Sequence, residues 1–325
     1  MPYSVQVEPG KRVKLGKINP AEDSGLSKSE GKQRMAELRD RLADLQQDLY
    51  AAGINSVLIV LQGMDTSGKD GTVRKVLSAL NPQGCEVTSF KQPNSVELAH
   101  DFLWRVHRRA PSKGTIGVFN RSHYEDVLIV RVHELVPPKT WKDRYQRINH
   151  FEELLHANGT IICKFFLHIS KDEQRERLLA REQDVEKAYK LSPDDWKERE
   201  RWDQYIAAYE DALSRCGTPY APWTVVPADR KWHRNLAVAQ VLVDRLEEHR
   251  KSWRAKLREM NRERLAELAK FHADEELAAS ASGDGQHRPP DEAAEWRLRT
   301  SPRRPETGDA TPSPRRRGRR ARGRS

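Results

Sequence analysis

The densest chemistry in this sequence lies in eight residues at positions 63–70, Gly-Met-Asp-Thr-Ser-Gly-Lys-Asp. Gly63, Gly68 and Lys69 meet the phosphate-loop pattern G-x-x-x-x-G-K-[ST], but Asp70 stands where a hydroxyl residue is expected. In such a loop the backbone N–H groups and the positive end of the following helix gather phosphate oxygens, and the lysine adds a mobile full charge. Asp65 and Asp70 place a carboxylate on either side of this phosphate site. Hard divalent cations take oxygen ligands, so both are candidate ligands for magnesium, or for manganese in its place. A carboxylate in place of the hydroxyl suits a substrate so rich in phosphate that more than one divalent ion must be held.

A second cluster is Val-Phe-Asn-Arg-Ser-His-Tyr-Glu-Asp-Val at 118–127. Asn120 directly follows an apolar run and offers an amide oxygen without charge. Arg121 comes next, and a guanidinium at the end of a strand can grip phosphate with two parallel bonds. Glu125 and Asp126 join Asn120 as candidates facing the acceptor of a transferred phosphate. His123, Glu125 and Asp126 also suit the first turn of a helix, where acidic charge complements the dipole. Lys91, just after a short strand, and Arg177 are further candidate phosphate ligands. Arg175, Arg177, Arg181, Lys187 and Lys190 sit in a charged stretch that as a group could roof a polyanion, with Arg181 the candidate catalytic member.

These residues need a scaffold, and the apolar pattern supplies one. The period of Met35, Leu38, Leu42, Leu45 and Leu49 predicts an amphipathic helix over 29–51. An apolar strand at 57–61, the glycine loop and a helix over 69–80 follow in the order a phosphate loop requires. Further strands are expected at 86–90, 116–119, 161–169 and 224–226, with helices around Leu98 to Val106, over 141–157 and over 232–248. Short apolar strands alternating with helices predict a parallel sheet covered on both faces. The chain then divides into an extended arm (1–28) and a phosphate-loop domain (29–250) whose helical lid covers about 171–216. A charged helical extension (251–277) and a disordered Arg-rich tail (278–325) complete it.

Composition excludes several classes. The chain has 325 residues and a net charge of +10, yet 297–325 holds eleven Arg against Glu306 and Asp309, so nearly all the excess is in the tail. Nucleic acid is therefore an expected partner of the tail only. Cys85, Cys163 and Cys216 lie far apart, without metal-ligand or disulfide-framework spacing, which favours a reducing cytoplasm. No stretch reads as a membrane span or an export signal.

The segments GMDTSGKDG, NPQGCEV, FNRSHYEDVLIVRVH, LHISKDEQRERL and APWTVVPADRKWHRNLAVA together resemble the type-2 polyphosphate kinases over about 6–248. The resemblance implies a P-loop kinase fold with a helical lid, magnesium dependence and a homo-oligomer. It also implies phosphoryl transfer between inorganic polyphosphate and AMP, ADP or ATP, with GDP as a further nucleotide. The family's loop acids and lysine match Asp65, Lys69 and Asp70, its post-strand arginine matches Arg121, and its lid arginine matches Arg181. Many members have Asp at the place of Asn120 and Asn at that of Glu125. The Asn/Glu pair resembles the subgroup acting on both nucleoside mono- and diphosphates. Two other readings fit the residues: an ATP-dependent kinase of the same fold, and a polyanion-binding protein without turnover.

Overall fold

The computed structural model describes residues 3–183 and 193–281. Its centre is a six-stranded sheet in the order β1-β6-β5-β2-β4-β3. The strands are β1 (Val5–Gln6), β2 (Ser56–Gln62), β3 (Cys85–Ser89), β4 (Ile116–Asn120), β5 (Thr160–His168) and β6 (Trp223–Pro227). The five strands β2 to β6 are parallel, as their unbroken apolar runs predict. Both β2 and β5 are buried along their whole length. The expected arm over 1–28 differs from its reading: β1 adds an antiparallel edge to β6, while Val7, Val13 and Leu15 sink into the core. Three scattered apolar residues carry no period, so the sequence shows no sign of this docking.

Helices cover both faces, and β5 shows why. Side chains alternate across a strand. Cys163 faces Arg245 and Glu248 of α10 (Lys231–Ala281). Lys164 faces the other way, to Glu152 of α6 (Pro138–Ala157) and the carbonyl of Cys216, which caps α9 (Trp202–Arg215). Phe166 continues that face and packs on Tyr209, with ring centroids 4.5 Å apart. On the α10 side lies α1 (Lys28–Ala52), which begins in a capping box between Ser27 and Glu30 and buries Leu42, Leu45 and Leu49. Arg250 of α10 ties the two helices by a 2.8 Å bond to Asp48.

Helix α2 (Lys69–Val76) is shorter than expected and tightens into a 3-10 turn at Leu77–Ala79. The single helix expected around Leu98 to Val106 is two, α3 (Ser95–Leu98) and α4 (Trp104–His107), with the Asp101 carboxylate accepting from Leu103 N between them. After α5 (Ile129–Val132) and α6, the charged stretch expected as a lid becomes α7 (Lys171–Glu182), α8 (Pro193–Glu200) and α9. Positions 184–192, with Lys187 and Lys190, lie outside the described residues. Helix α9 buries Trp202, Ala208, Tyr209, Ala212 and Leu213, so this part belongs to the core. The final helix, expected over 232–248, runs unbroken to Ala281 and takes in the expected extension. Ala278–Ala281 belong to that helix, and the rest of the expected tail lies outside the described residues. No helix among the described residues is long and apolar enough to cross a membrane.

Candidate active site

Strand pairing brings the two sequence clusters together. β2 and β4 are parallel neighbours in register, Leu61 opposite Asn120, so the glycine loop leaving β2 emerges beside Asn120 and Arg121 leaving β4. This is the edge where ligands bind in open parallel sheets. Arg121 N donates to Leu61 O, and Arg121 adopts a left-handed φ of 60°. A non-glycine residue held there stores strain, and such strain gathers at functional sites.

The side chains then form two cross-loop bonds. Arg121 donates to Asp65 Oδ1 at 2.9 Å, and the Asn120 amide donates to Asp70 Oδ1 at 2.6 Å. Lys69 opens α2 and turns back to donate to Gly63 O at 2.7 Å and Met64 O at 3.3 Å. Burial lowers its pKa from the ordinary lysine value, and Arg121 adds to this, while Asp65, Glu125 and Asp70 oppose it. Burial raises the Glu125 carboxyl above its usual range despite Arg121 and Lys69, and with its amide turned Gln62 donates to Glu125 Oε1 at 3.1 Å. Burial also pulls on Arg121, but Asp65 and Glu125 outweigh it and hold the guanidinium charged. Asp65, Lys69, Asp70, Asn120, Arg121 and Glu125 thus form one electrostatic unit. Among the described residues no set of three or more His, Cys, Asp or Glu is arranged as a metal cage.

Two expected site residues have other tasks. Arg177 is corrected from phosphate ligand to brace. It is buried, and its donors are taken by Glu173 and by the carbonyls of Thr66, Ser67, Ala228 and Asp229 at 2.6–3.2 Å. Asp126 is corrected from acceptor contact to strut. Its carboxylate accepts from Arg144 of α6 at 3.1 Å, and Arg144, Arg105 and His123 are the charges that act on it. Arg181 ends α7 half-buried, close enough to Lys231 to help lower that lysine's pKa, after burial and Arg177. Lys91 is exposed, and its side chain makes no bond to the cluster.

Sequence reasoning missed several supports. Tyr205 and Tyr209, one turn apart on α9, lie near the cluster: burial raises both phenols, Glu198 adds to this at Tyr205, and Glu125 and Asp65 contribute at both. The amphipathic period of 202–215 was the signal available for them. Gln174 of α7 donates to Asp65 O at 3.2 Å. Beneath the 118–127 cluster, Lys164 bonds Glu152 at 2.6 Å and Tyr124 at 2.8 Å, while His123 lies 3.2 Å from Glu152, all fully buried.

With this geometry in place, the comparison with known proteins is decisive. The family model described as Polyphosphate kinase 2 matches residues 25–254. This chain belongs to the polyphosphate kinase 2 family. Among its relatives, the AMP/ADP-polyphosphate phosphotransferase of Meiothermus ruber is 49% identical over 244 residues, covering 74% of this chain and 91% of that protein. The ADP-polyphosphate phosphotransferase of Rhodopseudomonas palustris is 48% identical over 261 residues, covering 76% and 90%. The crystal structure of Polyphosphate Kinase 2 from Arthrobacter aurescens TC1 aligns with a TM-score of 0.72 at 44% identity, over 74% of this chain and 88% of that one. The family match spans both clusters and every strand from β2 to β6.

Proposed function

We propose that this chain reversibly transfers a terminal phosphoryl group from inorganic polyphosphate to AMP and ADP. The observation that carries the reading is the joined cluster, in which a phosphate-loop lysine and a strand-end arginine share one site with two loop carboxylates. The names of the Meiothermus and Rhodopseudomonas relatives support polyphosphate and AMP or ADP as substrates.

An acceptor phosphate oxygen attacks the terminal phosphorus of the chain. One P–O bond forms, the bridging P–O bond breaks, and the shortened chain leaves with the bond's electrons. Such transfer asks the protein for charge neutralisation and in-line alignment. Lys69 exchanges its two carbonyl partners for phosphate oxygens, and Arg121 bears on the group in transit. Arg181 closes over the donor from the end of α7, as a lid residue. Asn120 and Glu125 face the acceptor, and this pair supports use of both mono- and diphosphates, with GDP as a further candidate. Asp65 and Asp70 fit a divalent ion: each leaves Oδ2 without a bond among the described residues, and two carboxylates completed by phosphate oxygens suit magnesium better than an all-protein cage. Bound there, magnesium, or manganese in its stead, would neutralise phosphate charge. A cytoplasmic homo-oligomer completes the reading.

Purified protein, magnesium and long-chain polyphosphate are incubated with AMP and, separately, with ADP. ADP and ATP are the expected products. No new phosphoanhydride in either mixture would overturn the proposal, and activity only with ATP as donor would make the chain an ordinary kinase of this fold.

A further inference from the structure

The phosphate-loop pattern accounts for Gly63 and Gly68 but not for Gly71, in the first turn of α2. Both Gly68 and Gly71 face a single group, the guanidinium of Arg234. A Cβ on Gly68 would lie 1.8 Å from Arg234 Nη1, and one on Gly71 would lie 3.2 Å from Nη2. Arg234 is 3% exposed and stands on the first turn of α10. It donates to Ser67 O at 3.1 Å and to the Asn235 side chain at 2.9 and 3.2 Å.

Apart from these hydrogen bonds, the surroundings of this cation are electrostatically unfavourable. It has no ion pair among the described residues, burial and the neighbouring Arg177 lower its pKa to about 10, and no carboxylate acts in its favour. It also lies against the first turn of α2, the positive end of that helix. Buried charges are ordinarily paired, because desolvation is costly. Here the guanidinium meets the backbone of the glycine loop, at Ser67 O and at Gly68 and Gly71. Nor is Arg234 needed to satisfy Ser67 O, since Arg177 Nη1 also donates there at 3.2 Å.

We propose that Arg234 is a positioning residue whose uncompensated charge beneath the loop is balanced by the polyphosphate anion, so that it opposes ligand-free stability and strengthens donor binding. The glycines at 68 and 71 make room for it. Arg177 and Arg234 together hold the Thr66 and Ser67 carbonyls. This deepens the proposed function and rests on its reading of the phosphate loop.

Sodium tripolyphosphate is the probe, with magnesium at low salt, and both Kd and melting temperature are measured for wild type, Arg234→Gln and Arg234→Lys. Gln keeps a hydrogen-bonding head but removes the charge. It should weaken tripolyphosphate binding about tenfold or more, from Coulomb attraction at this range, while the ligand-free melting temperature stays level or rises. Lys keeps the charge and should bind within about threefold of wild type on the same ground. A Gln variant that binds like wild type, or that melts lower or fails to fold without ligand, overturns the proposal, as does a Lys variant as weak as Gln. If wild type itself does not bind tripolyphosphate, the loop reading fails, and this inference fails with it.

Discussion

Lys69 has no carboxylate salt bridge among the described residues. It is parked on two carbonyls, in a cluster where burial has already weakened its hold on the proton. A group so placed contributes little to the core and much to a phosphate in transit. Lys69→Ala should therefore lower kcat at least about a hundredfold, the scale of losing one aligned transition-state donor, with the melting temperature unchanged. Retention of a tenth of wild-type kcat would move this lysine out of the chemistry. Asp70 answers a different question, because the ordinary residue at its place is a hydroxyl. Asp70→Ser restores the usual loop pattern, yet it removes a full negative charge and the partner of Asn120. The expected result is a rightward shift in the magnesium dependence of rate and a lower maximum, read by titrating magnesium against both proteins. Coincident titrations would make Asp70 only the first residue of a helix.

At the scale of elements, the 3-10 turn at His123–Val127 carries Glu125 and stands on a buried ionic post. Glu152 of α6 and Lys164 of β5 pair with side chains wholly out of solvent, and Tyr124 and His123 complete the bonding. Removing one partner of such a pair strands the other charge, so Glu152→Gln should cost about 3–5 kcal/mol in denaturant unfolding. Burial alone would raise the Glu152 carboxyl, but Lys164 and His123 outweigh it and hold it below its usual value. The depressed folded pKa sets the sign. The pair's stability is present above the unfolded carboxylate value, about 4.3, and is lost as pH falls through the lower folded value. Wild type should lose stability in that acid window more steeply than Glu152→Gln, whose amide does not titrate. Parallel pH profiles would mean that the post carries little net energy.

For the whole molecule, charge and fold are segregated along the chain. The described residues divide into a compact unit ending at Arg264 and a second unit beginning at Leu265. Beyond them, 297–325 carries nearly all the excess positive charge. A polycation outside the catalytic unit can raise the local concentration of a long polyanion without shaping the site, and salt screens that effect. Truncation after Ser280 should leave kcat unchanged and raise the apparent KM for long polyphosphate at low salt. Short chains, or high salt, should show little difference. An unaltered KM for long chains at low ionic strength would leave nucleic acid as the better partner for the tail.

The residues of the loop and the period of the apolar runs were enough to read the parallel sheet, the phosphate loop after β2 and the two carboxylates on either side of Lys69 in that loop. Those features are local: strand and loop patterns are written in consecutive residues, and the strand-loop-helix order follows from them. What the sequence could not show depends on which chain segments meet. Val5 reads as part of an arm until β6 offers it an open edge. Arg177 reads as a lid cation and candidate phosphate ligand until the loop carbonyls and the backbone after β6 converge on its two Nη groups while Glu173 takes its Nε. Arg234, 166 residues beyond Gly68, becomes part of the phosphate loop only because α10 starts beneath it. Charge type and helical period are one-dimensional properties, but desolvation and the identity of a buried partner arise only when the fold has closed around the group, and that is why tertiary structure alone decided which arginines brace the loop.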